Sequence, residues 1–550
     1  MKAIKKFLLT ILSLIIIVSL STSCFGVIIV PIIPEIEGLP AYTLTEDYVK
    51  QTKAYLKSAK EYTIDKKTSE ANTAWSNFNV SYYEIVSQTN VAFILYSSDA
   101  SSQTYKDNYL FASNSNNDVY AEYMKTLQDI YKAEGKDGFL KSLSEEELAR
   151  VLQYTDKVAK LEKEVSALQV EYAGILDDEN FNENTVLIYK QIVDKNNQIA
   201  TEYGYKNYYE YASENVYGRD YSSSDLQTFR KNVGEKLPTI ISQLDSDLDV
   251  AKEKLSKAEK DNLNAINTNP YNKTEINYWQ KYLNSYEDTD MKDDLNHAFV
   301  NKNVLFADGK YSREMAFTAS MPAYNKRFCY FGPKYQDVFT VAHEIGHYYA
   351  GLHSPMGSGS MDLKETHSQC NEMLLLEYLS SELKATSYTA LELSSLFGIL
   401  STTVVSTIVD EFEYFVYTND VTNYTANNFD AKMNEICLNY GGRLFVDTIV
   451  SDINRYWRLV VAEQPLYYIS YATSGIASIN LYIEADESRS LARLMYKSLI
   501  ENYQEDKGFT GNLTNAGFIN PFTEEAFTRI HTFLLGNKVE TPEESSSDIG

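Results

Sequence analysis

The sequence predicts a mainly α-helical protein with a small β element, and three observations carry that prediction. Beyond about residue 43, apolar side chains recur at helical spacing. Gly and Pro number only 23 and 11 in 550 residues, too few to interrupt long helices often. Strand-like segments are confined to residues 304–318 and 326–331, just ahead of a histidine-bearing helix. At 44% hydrophobic residues the chain can bury a large core, and its length allows two or more domains.

Taken in order, residues 1–24 read as a targeting segment: basic Met1-Lys2-Ala3-Ile4-Lys5-Lys6, an apolar run from Phe7 to Leu20, then Ser21-Thr22-Ser23-Cys24. The apolar run is too short for a comfortable membrane span, and small residues before a cysteine resemble a bacterial lipoprotein signal. Ser21 departs from that pattern, which usually has an aliphatic residue there. The expectation is an exported chain, held at the outer face of the cell membrane by a lipid on Cys24 or secreted. Residues 25–43 then form an apolar, Pro-containing tether.

Residues 44–200 read as an N-terminal helical region. Its clearest segment runs from Leu143 to Tyr172, where Glu145, Glu146 and Glu147 start a helix that continues through Leu148, Val151, Leu152, Val158, Leu161, Val165, Leu168 and Val170. Residues 201–537 form the second and larger region, which carries the chemistry. Residues 538–550 are acidic, Ser-rich and without apolar period, which predicts disorder. The formal charge of −26 argues against nucleic-acid binding, since a protein that neutralises phosphates needs a concentrated basic surface. Cys329, Cys370 and Cys437 have neither metal-ligand spacing nor a disulfide framework, and read as small buried hydrophobes.

The chemistry sits in His343-Glu344-Ile345-Gly346-His347. On a helix, four residues advance about 400° and roughly 6 Å, so both imidazoles lie on one face and can grip the same ion. Glu344 lies beside them, where a carboxylate takes a proton from an attacking water instead of ligating. Apolar Val338, Phe339, Val341, Ala342 and Ile345 predict that this helix is buried.

A catalytic zinc site needs a third protein ligand, and two candidates follow. His353 has the right distance for an HExxHxxGxxH pattern, but Ala350 stands where that pattern needs glycine and Gly351 comes one residue late. Glu365 lies beyond a Pro, Gly and Ser loop, residues 354–360, on a second helix beginning near Asp362. There Glu365, Ser368, Gln369 and Glu372 form a polar stripe in an otherwise apolar segment. The reading makes Glu365 the third ligand, gives Ser368 or Glu372 a hydrogen bond to a ligand imidazole, and points His367 elsewhere.

These residues resemble the M3 family of peptidases, the thimet oligopeptidase and oligoendopeptidase F group, in which HExGH precedes a helix with an E-x-x-S-x-x-x-E pattern. Residues 365–372 fit it. Angiotensin-converting-enzyme-like peptidases share part of the pattern. Residues 200–209 are similar to the segment before the family's catalytic region, and Lys326–Phe331 to the strand lining its substrate cleft. Residues 467–473 are similar to its tyrosine-rich segment, which implies that Tyr467, Tyr468 or Tyr471 donates a hydroxyl to the reacting carbonyl.

The resemblance implies a two-lobed helical metallopeptidase with a deep central cleft, one zinc ion on His343, His347 and Glu365, Glu344 as general base, and short peptides as substrates. Manganese or cobalt can occupy similar ligands. The rival reading is a non-catalytic peptide-binding or adhesive surface lipoprotein that keeps a metal site.

Overall fold

The computed structural model describes residues 36–175, 181–268, 278–354, 359–462 and 464–536. The expected signal segment with Cys24, most of the tether, the acidic tail and part of the 354–360 loop lie outside the described residues. Among the described residues there are 21 α-helices and one three-stranded sheet.

The N-terminal helices are α1 (Glu46–Ile64), α2 (Thr68–Ser98), α3 (Gln103–Glu134), α4 (Glu145–Gln153) and α5 (Asp156–Gly174). They are followed by α6 (Phe181–Glu202), α7 (Tyr208–Asn215), α8 (Ser223–Lys254), α9 (Lys257–Thr268), α10 (Tyr278–Asn284) and α11 (Thr289–Val300). Strands β1 (Val304–Phe306), β2 (Ala316–Met321) and β3 (Lys326–Phe331) come next, then α12 (Val338–His353) and α13 (Met361–Leu379). The remainder is α14 (Ala385–Thr418), α15 (Ala426–Cys437), α16 (Arg443–Val450), α17 (Ile453–Val460), α18 (Ile469–Glu487), α19 (Arg489–Glu501), α20 (Gly508–Asn515) and α21 (Glu524–Leu535).

Side-chain caps account for many of the helix starts. Ser144 and Glu147 form a reciprocal capping box on α4, and the Thr155 hydroxyl accepts from the Val158 N–H at the start of α5. That second cap divides what the periodicity reads as one helix across 143–172. Tyr154 adopts an extended conformation between the two, and the Gln128 amide donates to the carbonyls of Val151 and Tyr154, satisfying backbone groups that the break frees. The signal was present in Thr155-Asp156, a cap residue followed by an acid.

Two main hydrophobic cores result. One joins α1 to α5 around Trp75, Phe78, Tyr82, Tyr123 and Leu127. The larger one runs from Leu168 to Ile530 and includes α8, α12, α13, α14 and α18. A small third cluster, Val91, Ile94, Leu95, Tyr105, Ala319, Met321 and Phe328, packs the second half of α2 against β2 and β3. Helix α14 is long and apolar enough to cross a membrane. Here it packs against α8 and α18, and it buries Asp410 and Glu413 among polar partners, as a core helix does.

The sheet has the order β1-β3-β2. β3 pairs in parallel with β1 and antiparallel with β2, with Cys329 opposite Val304 on one side and Thr318 on the other. Residues 307–315, read as strand from sequence, are irregular. β3 is therefore the buried central strand, and β2 keeps one edge without a strand partner. All three described cysteines are buried and free, which agrees with their reading as small hydrophobes.

Candidate metal centre

Asp337 caps α12, its carboxylate accepting from the N–H groups of Phe339 and Thr340 at 3.0 Å each. The helix then crosses α13 closely at Gly346. A Cβ built on Gly346 would lie 2.7 Å from both the His367 carbonyl oxygen and Ser368 Cα, so only glycine permits this approach. Asn371 secures the crossing by donating to the Ala342 carbonyl at 2.7 Å, and accepts in turn from the Tyr282 hydroxyl at 2.9 Å.

The crossing brings His343, His347 and Glu365 together, with one ligand atom from each within 4.8 Å of the others. Glu365 Oε2 lies 3.6 Å from His343 Nε2 and 3.9 Å from His347 Nε2. The other imidazole nitrogens are engaged. His343 Nδ1 is 2.7 Å from Glu372 Oε1, and His347 is hydrogen-bonded to the Lys364 backbone. Glu365 Oε1 accepts from the Tyr467 hydroxyl, whereas Oε2 is buried with no hydrogen-bond partner among the described residues. An ionisable oxygen is not left bare in a protein interior without cause. The two Nε2 atoms and the Glu365 carboxylate oxygen facing them are a donor set that suits zinc or a similar divalent ion.

Electrostatics agrees with that fit. Burial, the largest influence on His343, favours its neutral form, but Glu372, Glu344 and Glu365 together outweigh it and raise the pKa to about 9. Burial and the neighbouring His343 charge push His347 well below its usual range. Burial raises both carboxyls: Glu365 moves above its usual range, and Glu344 reaches about 7. A cation placed among these groups would relieve the crowding of carboxylates.

Glu344 does not join the grip. Its Oε2 accepts from the Thr318 hydroxyl of β2 at 2.8 Å, which fixes the carboxylate on the sheet side of the two imidazoles. Sequence reading missed Thr318, because 26 residues separate it from Glu344 and no motif links them. Of the strand expected at the cleft, Lys326–Phe331, five of six residues are buried, and the contact with Glu344 comes from the neighbouring β2. Of the two candidates for imidazole support, Glu372 fills the role. Ser368 turns its hydroxyl back to the Glu365 carbonyl of its own helix at 2.9 Å.

His353 takes no part. Its Nε2 is 2.7 Å from Asp294 Oδ2 on α11, and it clusters with Asp294 and Glu501 instead of with His343 and His347. His367 is buried and outside the grip as well. Among the tyrosines, Tyr467 is bound to Glu365, and the Tyr471 ring lies 5.2 Å away. Burial and the charge of Glu365 raise the Tyr471 pKa, against a hydrogen bond with Tyr467 that lowers it. Tyr468 packs its ring against Tyr456, Tyr467 and Tyr471.

Comparison with known proteins supports the architecture. No family profile and no curated protein matches the sequence. Solved structures do match. PZ peptidase A, determined with an inhibitor, superposes with a TM-score of 0.68 at 16% identity, over 90% of this chain and 98% of its own. A protein assigned as an oligoendopeptidase F gives 0.71 at 15% identity, over 91% and 98%. Oligoendopeptidase-F from Enterococcus faecium gives 0.54 at 14%, over 89% and 96%. At such identities the likeness shows a shared fold: the chain has the helical architecture of the oligoendopeptidase F structures along nearly its whole described length.

Proposed function

We propose that this chain is a zinc-dependent endopeptidase that hydrolyses short peptides. The observation that carries the reading is the buried Glu365 Oε2, without a hydrogen-bond partner among the described residues, 3.6 and 3.9 Å from two imidazole nitrogens, with Glu344 beside them. Structural zinc sites usually close every position with Cys and His, whereas two histidines and one carboxylate leave room for substrate. The shared fold supports the same reading, because the solved neighbours bear peptidase names.

His343, His347 and Glu365 would hold the ion. When bound, zinc supplies Lewis acidity that polarises a peptide carbonyl and acidifies water. Glu344 then does the proton work. Held by Thr318 and raised to about 7, its carboxylate takes the proton of the attacking water and passes it to the departing amine. The donation to the carbonyl oxygen is assigned to Tyr471, whose ring lies 5.2 Å from that of Tyr467, because Tyr467 itself donates to Glu365. The targeting pattern in residues 1–24 supports a location outside the cytoplasm, with Cys24 as the lipid anchor.

The test is hydrolysis of a quenched fluorescent peptide library with and without a chelator. Chelator-sensitive cleavage that zinc restores is expected, and E344Q should bind zinc normally yet lose about 10²–10⁴-fold in kcat. Peptide binding with no turnover by the zinc-loaded protein would overturn the proposal in favour of a binding protein.

A further inference from the structure

The Tyr467 hydroxyl donates to Glu365, and the residue before Tyr467 is held in an unusual conformation. Leu466 has φ +66°, in the left-handed region that a leucine rarely adopts, and its side chain is fully buried. Such strain persists only where the surroundings impose it. Here both backbone polar groups of Leu466 are held by ionisable side chains. Its N–H donates to Glu413 Oε1 of α14 at 2.8 Å, and its carbonyl accepts from Arg219 Nη2 at 2.6 Å. The Tyr217 hydroxyl donates to the carbonyl of Pro465, one residue earlier.

Arg219 also ties this turn to both site helices. It donates to Ser470 Oγ in the first turn of α18 at 3.2 Å and to Asp362 Oδ2 on α13 at 3.4 Å, three residues before Glu365. Asp362 accepts in addition from the hydroxyls of Tyr221 at 3.1 Å and Thr473 at 2.6 Å. Arg219, Asp362 and Glu413 are all buried. Arg219 Nη1 and Glu413 Oε2 have no hydrogen-bond partner among the described residues. A fold seeking stability alone has little reason to bury incompletely paired ionisable groups on a strained turn.

We infer that Arg219 and Glu413 are positioning residues, a clamp that holds Leu466 in its left-handed conformation and so sets the Tyr467 hydroxyl on Glu365. The inference rests on His343, His347 and Glu365 being the metal grip. Its consequence is that the clamp acts on the metal through Tyr467: the hydroxyl occupies Oε1 and leaves Oε2 turned toward the imidazoles. Groups that orient a ligand in this way typically change metal affinity by about 10–100-fold.

Zinc affinity of the full chain, measured by competition with a chromophoric chelator, tests the clamp without recourse to peptide turnover. Y467F and E413A should each weaken zinc binding about tenfold. E413Q should stay within about twofold of wild type, since its amide oxygen still accepts from Leu466 and burial already pushes the Glu413 carboxyl well above its ordinary range. The E413A/Y467F double variant should bind zinc no more weakly than Y467F, because the clamp has nothing left to position. Multiplying losses in the double variant, or wild-type affinity in E413A, would overturn the inference. If E413A does not fold, R219K serves in the same cycle, since a lysine cannot hold Leu466, Ser470 and Asp362 together. A wild-type protein that binds zinc but cleaves no peptide would refute the proposed activity and leave the clamp to be judged on the cycle.

Discussion

The N-terminal helices and the α12–α13–α18 region bury similar kinds of apolar side chain, yet they treat charge in opposite ways. Around Trp75 the core is aromatic: Phe139 stacks on Trp75 at 4.9 Å, and Phe78 stacks on Tyr123 at 5.5 Å. Among the described residues of α1 to α5 the fully buried acid is Glu147, used in a capping box, and the part-buried Glu162 accepts from the Tyr154 hydroxyl. The second region, with α14 packed against α18, buries Glu344, Asp362, Glu365, Asp410 and Glu413. The first pattern maximises stability. The second incurs the cost of desolvating carboxylates, which makes sense only if their positions matter more than their energy.

The largest effect that would break this comparison is expected at Phe78. It is fully buried between Tyr82, Tyr123 and Trp75, with centroids at 5.7, 5.5 and 5.9 Å. Phe78→Ala should cost about 3–5 kcal/mol of stability through lost burial and a cavity. Thermal and urea unfolding should report that loss. Zinc affinity and peptide turnover per folded molecule should stay within about twofold, because the part of α2 that touches β2 and β3 is its other half, around Val91 and Ile94. A comparable loss of zinc affinity would show that the two regions are not energetically separate.

The same contrast explains what could be read from the sequence. Local periodicities gave the helical class, the strand pair beside the metal helix and the α12–α13 order, because each depends on residues a few positions apart. His343, Glu344 and His347 were legible for that reason, and Glu365 and Glu372 through their stripe on one helix. Thr318, Arg219 and Glu413 were not, since they reach the site across 26, 143 and 53 residues respectively to Glu344, Asp362 and Leu466. No local pattern encodes a contact that only tertiary packing creates. The choice of Glu372 over Ser368 was equally hidden, because Ser368 had a nearer acceptor in its own helix.

A smaller effect sharpens the comparison at Glu372. It sits 2.7 Å from His343 Nδ1 and fixes which nitrogen faces the ion. E372Q should keep the fold and weaken zinc binding about 10–100-fold, read by chelator competition. Its melting temperature without zinc should change little beside that of Phe78→Ala. Unchanged zinc affinity would remove Glu372 from the site.

The smallest step, about tenfold per pH unit, and the most diagnostic, is the pH dependence of metal binding. In the metal-free protein the three carboxylates around His343 outweigh the opposing effect of burial and raise its pKa to about 9. A raised folded pKa means that the folded state holds a proton which the unfolded chain releases near 6.5. His343 therefore stabilises the metal-free fold fully below about pH 6.5, and that contribution is lost as pH climbs through about 9. A metal must displace the same proton, because only the neutral imidazole ligates. Zinc affinity should therefore rise about tenfold per pH unit between roughly 6.5 and 8.5 and level off above 9. Stability alone would be a poor readout. Glu162 in the N-terminal region, raised by burial to about 7 against the hydrogen bond from Tyr154, also loses its stabilising contribution as pH rises from the ordinary carboxyl range. Metal affinity separates the regions: E162Q should flatten part of the stability profile and leave the zinc slope intact, whereas E372Q should move the end of the zinc slope to lower pH. A zinc affinity independent of pH across this range would mean that His343 is not the proton-holding ligand.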